Sequence, residues 1–166
     1  MQENVSFKNV SRILVVVLEG NLGLRISDIL SLRLSDIVRD GDRYRLEITE
    51  QKTKKKRVFT VPLVIQQYIE NYCLRNGIGK TERIFNLTER AISKQLALVC
   101  DYLGFEGIGT HSFRKWYATE IYKNNGYDIT LVQRLLQHSS AAITQRYIGI
   151  EPQRIEEAIE GYAQLL

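Results

Sequence analysis

From Tyr44 to Pro62 the chain reads YRLEITEQKTKKKRVFTVP, and this stretch decides the fold class. Tyr44, Leu46 and Ile48 alternate with Arg45 and Glu47, the period of two that sends one set of side chains to an inner sheet face and the other to water. Val58-Phe59-Thr60-Val61 is a second strand-like run, and Pro62 ends it because proline has no N–H for a ladder. The polar segment Thr49 to Arg57 lies between them, so these residues predict a β-hairpin with a basic turn.

Outward from the hairpin the periodicity changes to that of helices. Upstream, Val10 to Glu19 is a nearly all-apolar run suited to a buried helix, and Gly20 to Gly23 is expected to break it. Ser27 then begins a short amphipathic segment with Ile26, Ile29, Leu30 and Leu34 on one side. Downstream, helices are predicted near Leu63–Arg75, Thr88–Tyr102, Ser112–Asn124, Ile129–Gln137 and Gln153–Leu166. Asp128 suits the N-cap before Ile129, and Pro152 suits the first turn of the last helix. The fold class is therefore α+β, mostly α-helical, with a small antiparallel sheet or hairpin near residues 36–62, in one domain over residues 1–166.

Composition narrows the function without choosing it. With 166 residues, 44% hydrophobic and 25% charged, the chain can bury a core. It has no run of about 18 apolar residues and so no predicted membrane span. Ile13 to Leu18 is too short to cross a bilayer and no small-residue cleavage site follows it, so a cytoplasmic protein is expected. Cys73 and Cys100 are far apart and flanked by apolar residues, which points to reduced, packed thiols. No acidic cluster suggests a metal site and no glycine-rich phosphate loop is present, so no cofactor is expected. The net charge of +4 is modest, but Lys52, Lys54, Lys55, Lys56 and Arg57 crowd the hairpin turn. Such a cluster is either a solvated turn or a nucleic-acid contact.

Chemistry enters with the only two histidines. His111 opens His111-Ser112-Phe113-Arg114, which places a guanidinium one helical turn away on the same face. His138 is followed by Ser139-Ser140 and, nine positions on, by Tyr147. Far upstream, Gly23-Leu24-Arg25-Ile26-Ser27-Asp28 embeds an arginine at a helix-opening turn. In this order the chain resembles the tyrosine recombinases of the phage-integrase family. Their first box, T-G-x-R-x-[ST]-E/D-x-x-x-L, is followed by Leu22 to Leu32; their H-x-x-R box matches His111 to Arg114; and their L-G-H-x-S and T-x-x-Y segments match Leu136 to Ser140 and Thr144 to Tyr147. Lys52-Thr53 stands where the family places its hairpin lysine. The departures are Leu22 for threonine, Gln137 for glycine before His138, and Phe113 and Lys115 around Arg114. The resemblance covers about residues 10 to 150.

This resemblance implies a recombinase catalytic domain that cuts and rejoins DNA through a 3′-phosphotyrosyl bond, with neither metal nor nucleotide. The residue types suit that work. Negative charge grows on the non-bridging oxygens of the attacked phosphorus, and Arg25 and Arg114 offer forked donors that stay charged, with His138 as a further donor. Tyr147 would be the nucleophile and His111 its proton acceptor. The 5′-oxygen leaves poorly without a proton, and Lys52 would supply it, with Lys54, Lys55 and Lys56 as rivals if the hairpin register slips. Asp28 would orient the phosphate-binding group, while Lys54, Lys55, Lys56, Arg57 and Lys115 would meet DNA. The partner would be double-stranded DNA, bound by a homotetramer in which a C-terminal helix over residues 153–166 passes between protomers, in a bacterial or phage-encoded protein at the nucleoid and with no membrane. The family's N-terminal core-binding domain is expected to be absent from this chain. The alternatives are type IB topoisomerase-like relaxation of DNA and a non-catalytic DNA-binding module.

Overall fold

Gly23 shows how the first helix gives way to the arginine box. α1 (Phe7–Leu22) runs through Gly20 without a break, contrary to the expectation from sequence, and stops only where Gly23 takes a left-handed φ of +57°. Gly20 is buried, and the helix holds because Leu14, Val15, Leu18 and Leu22 beside it face the core. A mid-helix glycine costs only about 1 kcal/mol, which such burial exceeds. These features come from a computed structural model, which describes residues 7–149 and 159–161.

By its internal packing the chain divides into two units, Met1–Arg114 and Lys115–Leu166. In the first, α2 (Ile26–Ser31) follows Gly23 and Leu24, with Arg25 at its N-cap in extended conformation. A 3₁₀ turn (Leu34–Asp36) leads into a three-stranded antiparallel sheet of β1 (Ile37–Asp40), β2 (Arg43–Thr49) and β3 (Lys56–Val61), in that spatial order. The hairpin was predicted; β1 joins it as an edge strand, pairing Ile37 with Leu46 and Asp40 with Arg43. β2 and β3 pair from Tyr44–Val61 to Thr49–Lys56. Both strands run further than the sequence suggested, which shortens the turn to Glu50–Lys55.

α3 (Leu63–Arg75) and α4 (Glu89–Leu103) complete the first unit, and α5 (Thr110–Asn124) begins in it. Thr88 caps α4 by accepting from the Ala91 N–H, and Gly104 closes it with a left-handed φ of +70°. The core gathers Leu18, Leu24, Ile26 and Ile29 beneath Leu46 and Val61 of the sheet, with Ile69 of α3, Phe85 and Ile92 of α4. Each such side chain contributes about 1.5–3 kcal/mol by leaving water.

The second unit holds the remainder of α5 with α6 (Ile129–Leu136) and α7 (Ala141–Ile148). Its core is Ala118, Tyr122, Val132, Leu136 and Ile148, with Ile121, Ile129 and Tyr147 packed on it. Asp128 caps α6 as expected, accepting from the N–H groups of Thr130 and Leu131. α7 was not predicted. The helix expected over Gln153–Leu166 lies outside the described residues except for positions 159–161. Among the described residues no helix is long and apolar enough to cross a membrane.

Candidate active site

Arg25 is set in place by the turn that Gly23 allows. Its carbonyl accepts the N–H groups of Asp28 and Ile29, which fixes it at the mouth of α2. Its side chain reaches the hairpin, where Nη1 donates to Glu50 Oε2 at 2.6 Å. Glu50 is fully buried, whereas the Arg25 side chain keeps 17% of its surface open. Burial acts to raise the Glu50 pKa. Hydrogen bonds from Thr53 and Arg25, and the charges of Arg25 and Arg57, outweigh it and hold the carboxyl below its usual range. Glu50 is an anion in this setting, and no sequence motif had singled it out.

Asp28 is buried and its Oδ1 accepts the Gln51 N–H at 2.7 Å. It therefore ties α2 to the hairpin turn. Lys52, Lys54, Lys55 and Lys56 are all exposed, as a DNA-facing lysine must be. Arg57, expected from the sequence to meet DNA, is instead buried. It is 3% exposed, and its guanidinium turns inward to the carbonyls of Gly23 and Leu22, to Glu50 Oε1 at 3.5 Å, and over the Phe59 ring. Lys54 takes a left-handed φ of +58° in the turn, a conformation that a side chain makes costly and that the backbone bonds of Glu50 impose.

His111 lies exposed in the first turn of α5, and Arg114, one turn on, is 2% exposed. Near Arg114 lies Glu19, wholly buried on α1, whose carboxyl oxygens have no hydrogen-bond partner among the described residues. Burial pushes its pKa up to about 8, against the pull of Arg114 and with some push from Glu89. At neutral pH Glu19 thus holds a proton and adds no negative charge beside Arg114.

In the second unit Ser140 caps α7 by accepting from the Ile143 N–H, and Gly149 ends it in left-handed conformation at φ +73°. Between these caps the helix carries Tyr147, half-buried, with its ring edge-on to His138 and centroids 5.2 Å apart. His138 Nδ1 lies 3.1 Å from Thr144 Oγ1, and the Thr144 hydroxyl donates to the Ser140 carbonyl. The threonine oxygen is then the acceptor and Nδ1 carries the proton. A neutral His138 would have a lone pair at Nε2, and only the imidazolium can donate there to an anion. Thr144 is buried, and the T-x-x-Y pattern gave its place but not this task. Lys115 is exposed and reaches toward Gly149, two residues past Tyr147.

Gln137 explains one departure from the family pattern. It is the left-handed cap of α6, at φ +56°, and its N–H bonds back to the Arg134 and Gln133 carbonyls. Glycine suits that backbone best, so glutamine fills a position whose requirement is conformational. The chemistry next door at His138 is untouched.

Comparison with known proteins agrees with these features. The model of the phage integrase family matches residues 3–154. The probable integrase/recombinase YoeC of Bacillus subtilis (strain 168) is 35% identical over 153 residues, 87% of this chain and 81% of YoeC. Tyrosine recombinase XerA of Pyrococcus furiosus is 29% identical over 157 residues, 90% of this chain and 53% of XerA. Among solved structures, XerH bound to palindromic difH substrate in a post-cleavage complex superposes with a TM-score of 0.74 at 23% identity, over 95% of this chain and 47% of that one. The catalytic domain of bacteriophage HP1 integrase gives 0.60 at 24% identity, over 91% and 84%. At such identities the likeness is one of fold. The chain spans most of YoeC and about half the length of XerA and XerH. It belongs to the phage integrase family and has the fold of a tyrosine recombinase catalytic domain.

Proposed function

We propose that this chain cleaves and rejoins double-stranded DNA at a specific site, with Tyr147 as nucleophile. The tyrosine oxygen attacks the scissile phosphorus and forms a 3′-phosphotyrosyl bond, while the bond to the 5′-oxygen breaks. His111 accepts the phenol proton and Lys52 gives one to the departing oxygen, so a free 5′-hydroxyl results. Arg25, Arg114 and an imidazolium His138 bind the charge that builds on the non-bridging oxygens, and such preorganised charge is commonly the largest part of catalysis. A 5′-hydroxyl from a second strand reverses the step. No external energy is needed, because the phosphotyrosyl bond conserves that of the phosphodiester.

The observation that carries this function is the pairing of His138 with Tyr147 at 5.2 Å, with the Nδ1 side of the imidazole held by Thr144. The chain has nine tyrosines, and Tyr147 has a histidine ring set edge-on beside it. The exposed Lys54, Lys55, Lys56 and Lys115 serve as phosphate-backbone contacts, so DNA binding should weaken steeply with salt. We assign the working assembly as a homotetramer on DNA. The sequence stripe Ile155, Ala158, Ile159, Tyr162 and Leu165, at helical spacing, suits a tail exchanged between protomers. Integration and excision of a mobile element in a bacterial cytoplasm is the role that fits this chemistry.

A library of nicked suicide duplexes tests it. Once the short strand beyond the nick diffuses away, rejoining is blocked, and a covalent protein–DNA adduct accumulates on sequences that contain the site. Wild type is expected to give the adduct and Tyr147→Phe none, with both equally folded. An adduct formed by Tyr147→Phe, or none by wild type on any duplex, overturns the assignment.

A further inference from the structure

We infer that Glu50 is a positioning residue that joins the phosphate-holding Arg25 to the turn carrying Lys52, so that phosphate capture and proton delivery are aligned by one carboxylate. The inference rests on the roles proposed above for those two residues.

Glu50 sits at the first position of the Glu50–Lys55 turn and is wholly buried. Its Oε2 accepts from Arg25 Nη1 at 2.6 Å and from the Thr53 hydroxyl at 2.7 Å, one oxygen shared between the arginine and the turn. Its backbone closes the same turn: the N–H donates to the Lys55 carbonyl, and the carbonyl accepts the Lys54 N–H, each at 3.0 Å. Thr53 Oγ1 accepts in turn from the Lys55 N–H. Lys52 therefore lies between Glu50 itself and Thr53, whose hydroxyl is bonded to this carboxylate. Displacing Glu50 would shift Arg25 and Lys52 together.

Charge supports the same role. One carboxylate faces two guanidinium groups, those of Arg25 and Arg57, so the cluster carries one net positive charge. Arg57 is enclosed, and Arg25 alone keeps an open side. The residual charge is thus presented where an anion can reach it. A merely structural ion pair would explain Glu50 with Arg57 but would not need the Thr53 hydroxyl on the oxygen that holds Arg25.

Two variants separate the parts. Thr53→Val cuts the link from the Glu50 carboxylate to the turn and leaves the carboxylate with both arginines; Glu50→Gln weakens every side-chain link. Each is assayed in the full chain for adduct formation on the suicide duplex, and on the same duplex with sulfur in place of the 5′-bridging oxygen. A thiolate leaves without a proton, so that duplex does not need Lys52. Thr53→Val is expected to slow adduct formation about ten-fold on the oxygen duplex and to stay within about two-fold of wild type on the sulfur duplex. Glu50→Gln should lose about a hundred-fold on oxygen and recover only part on sulfur, because Arg25 is also loosened. Equal losses on both duplexes, or wild-type rates on both, overturn the inference. If instead wild type forms no adduct at all, or Tyr147→Phe does, the function proposed above fails first, and the two failures are distinguishable.

Discussion

The two units hold their chemical groups by different means. In Met1–Arg114, Arg25 is braced by buried charge: Glu50 takes its Nη1, Arg57 backs Glu50, and Asp28 pins the turn. In Lys115–Leu166, Tyr147 rides an eight-residue helix defined by caps, with His138 steadied by one threonine hydroxyl. The difference follows from the work proposed for each. A group that binds a phosphate must already be in place when charge develops, and buried ionic partners achieve that at the expense of solvation. A nucleophile must approach phosphorus, and helix caps with a hydrogen-bonded histidine orient it without locking it into a buried ionic network.

The largest effect should come from breaking the charged side of this contrast. Arg57→Ala leaves Glu50 with Arg25 as its one ionic partner and empties a buried site. Unfolding in denaturant should show a loss of about 3 kcal/mol, the lower end for a disrupted buried pair because Arg25 remains. A loss within experimental error of zero would mean that the Arg57–Glu50 pair does not brace the site. His138→Ala in the second unit should cost far less stability while slowing adduct formation, which sharpens the distinction.

Glu19 offers a pH test of the same unit. In the unfolded chain it ionises near pH 4.5, and folded it keeps its proton up to about 8. Between those values unfolding releases a proton, so stability falls as pH rises, by up to about 1.4 kcal/mol per pH unit, and the trend ends above about pH 8. Arg114 and Glu89 face it and oppose each other's influence. Glu19→Gln cannot ionise, and its thermal midpoint should lose this slope and exceed that of wild type at pH 9. Parallel pH curves for the two proteins would show that Glu19 is ionised in the fold.

Much of this was legible in the sequence, and what was missed has identifiable causes. The arginine box, the hairpin and the Asp128 cap could be read because each rests on local rules of period or capping. α7 was missed because its apolar residues Ile143, Tyr147 and Ile148 make a sparser stripe than Ile129, Leu131, Val132, Leu135 and Leu136 of the equally short α6, although Ser140 and Gly149 bracket it as start and stop signals. Arg57 was assigned to the surface by composition. The period of two says otherwise: counting back from Val61 through Phe59 puts Arg57 on the inner face, and counting on from Leu46 through Ile48 puts Glu50 there too. Opposite charges at inner-face positions of paired strands are the signature of a buried ion pair. Gly20 failed to break α1 because tertiary burial outweighs a propensity of about 1 kcal/mol.

On the second unit, Thr144→Val removes the acceptor of the His138 Nδ1 proton with little change in volume. His138 then loses its fixed orientation and a partner for its imidazolium form. Adduct formation should fall about ten-fold, worth about 1.4 kcal/mol, with the alkaline limb of its pH profile displaced to lower pH and the fold intact. An unchanged profile would show that Thr144 only packs.

The smallest effect belongs to the cap before His138. Gln137 stands in the left-handed region, where a side chain costs about 1–2 kcal/mol relative to ordinary helical backbone. Glycine removes that strain but brings a freer unfolded chain, which returns about 0.5–1 kcal/mol. Gln137→Gly should therefore stabilise the protein by about 1 kcal/mol or less, visible as a small rise in denaturant midpoint with an unchanged slope. The Gln137 N–H bonds to the Arg134 and Gln133 carbonyls are made by backbone and survive the change. His138 should keep its place beside Tyr147, and adduct formation should stay near wild type. Destabilisation by Gln137→Gly would mean that the glutamine side chain makes contacts worth more than the strain it causes. The second unit would then rely on a side-chain contact at that cap, in addition to the backbone bonds.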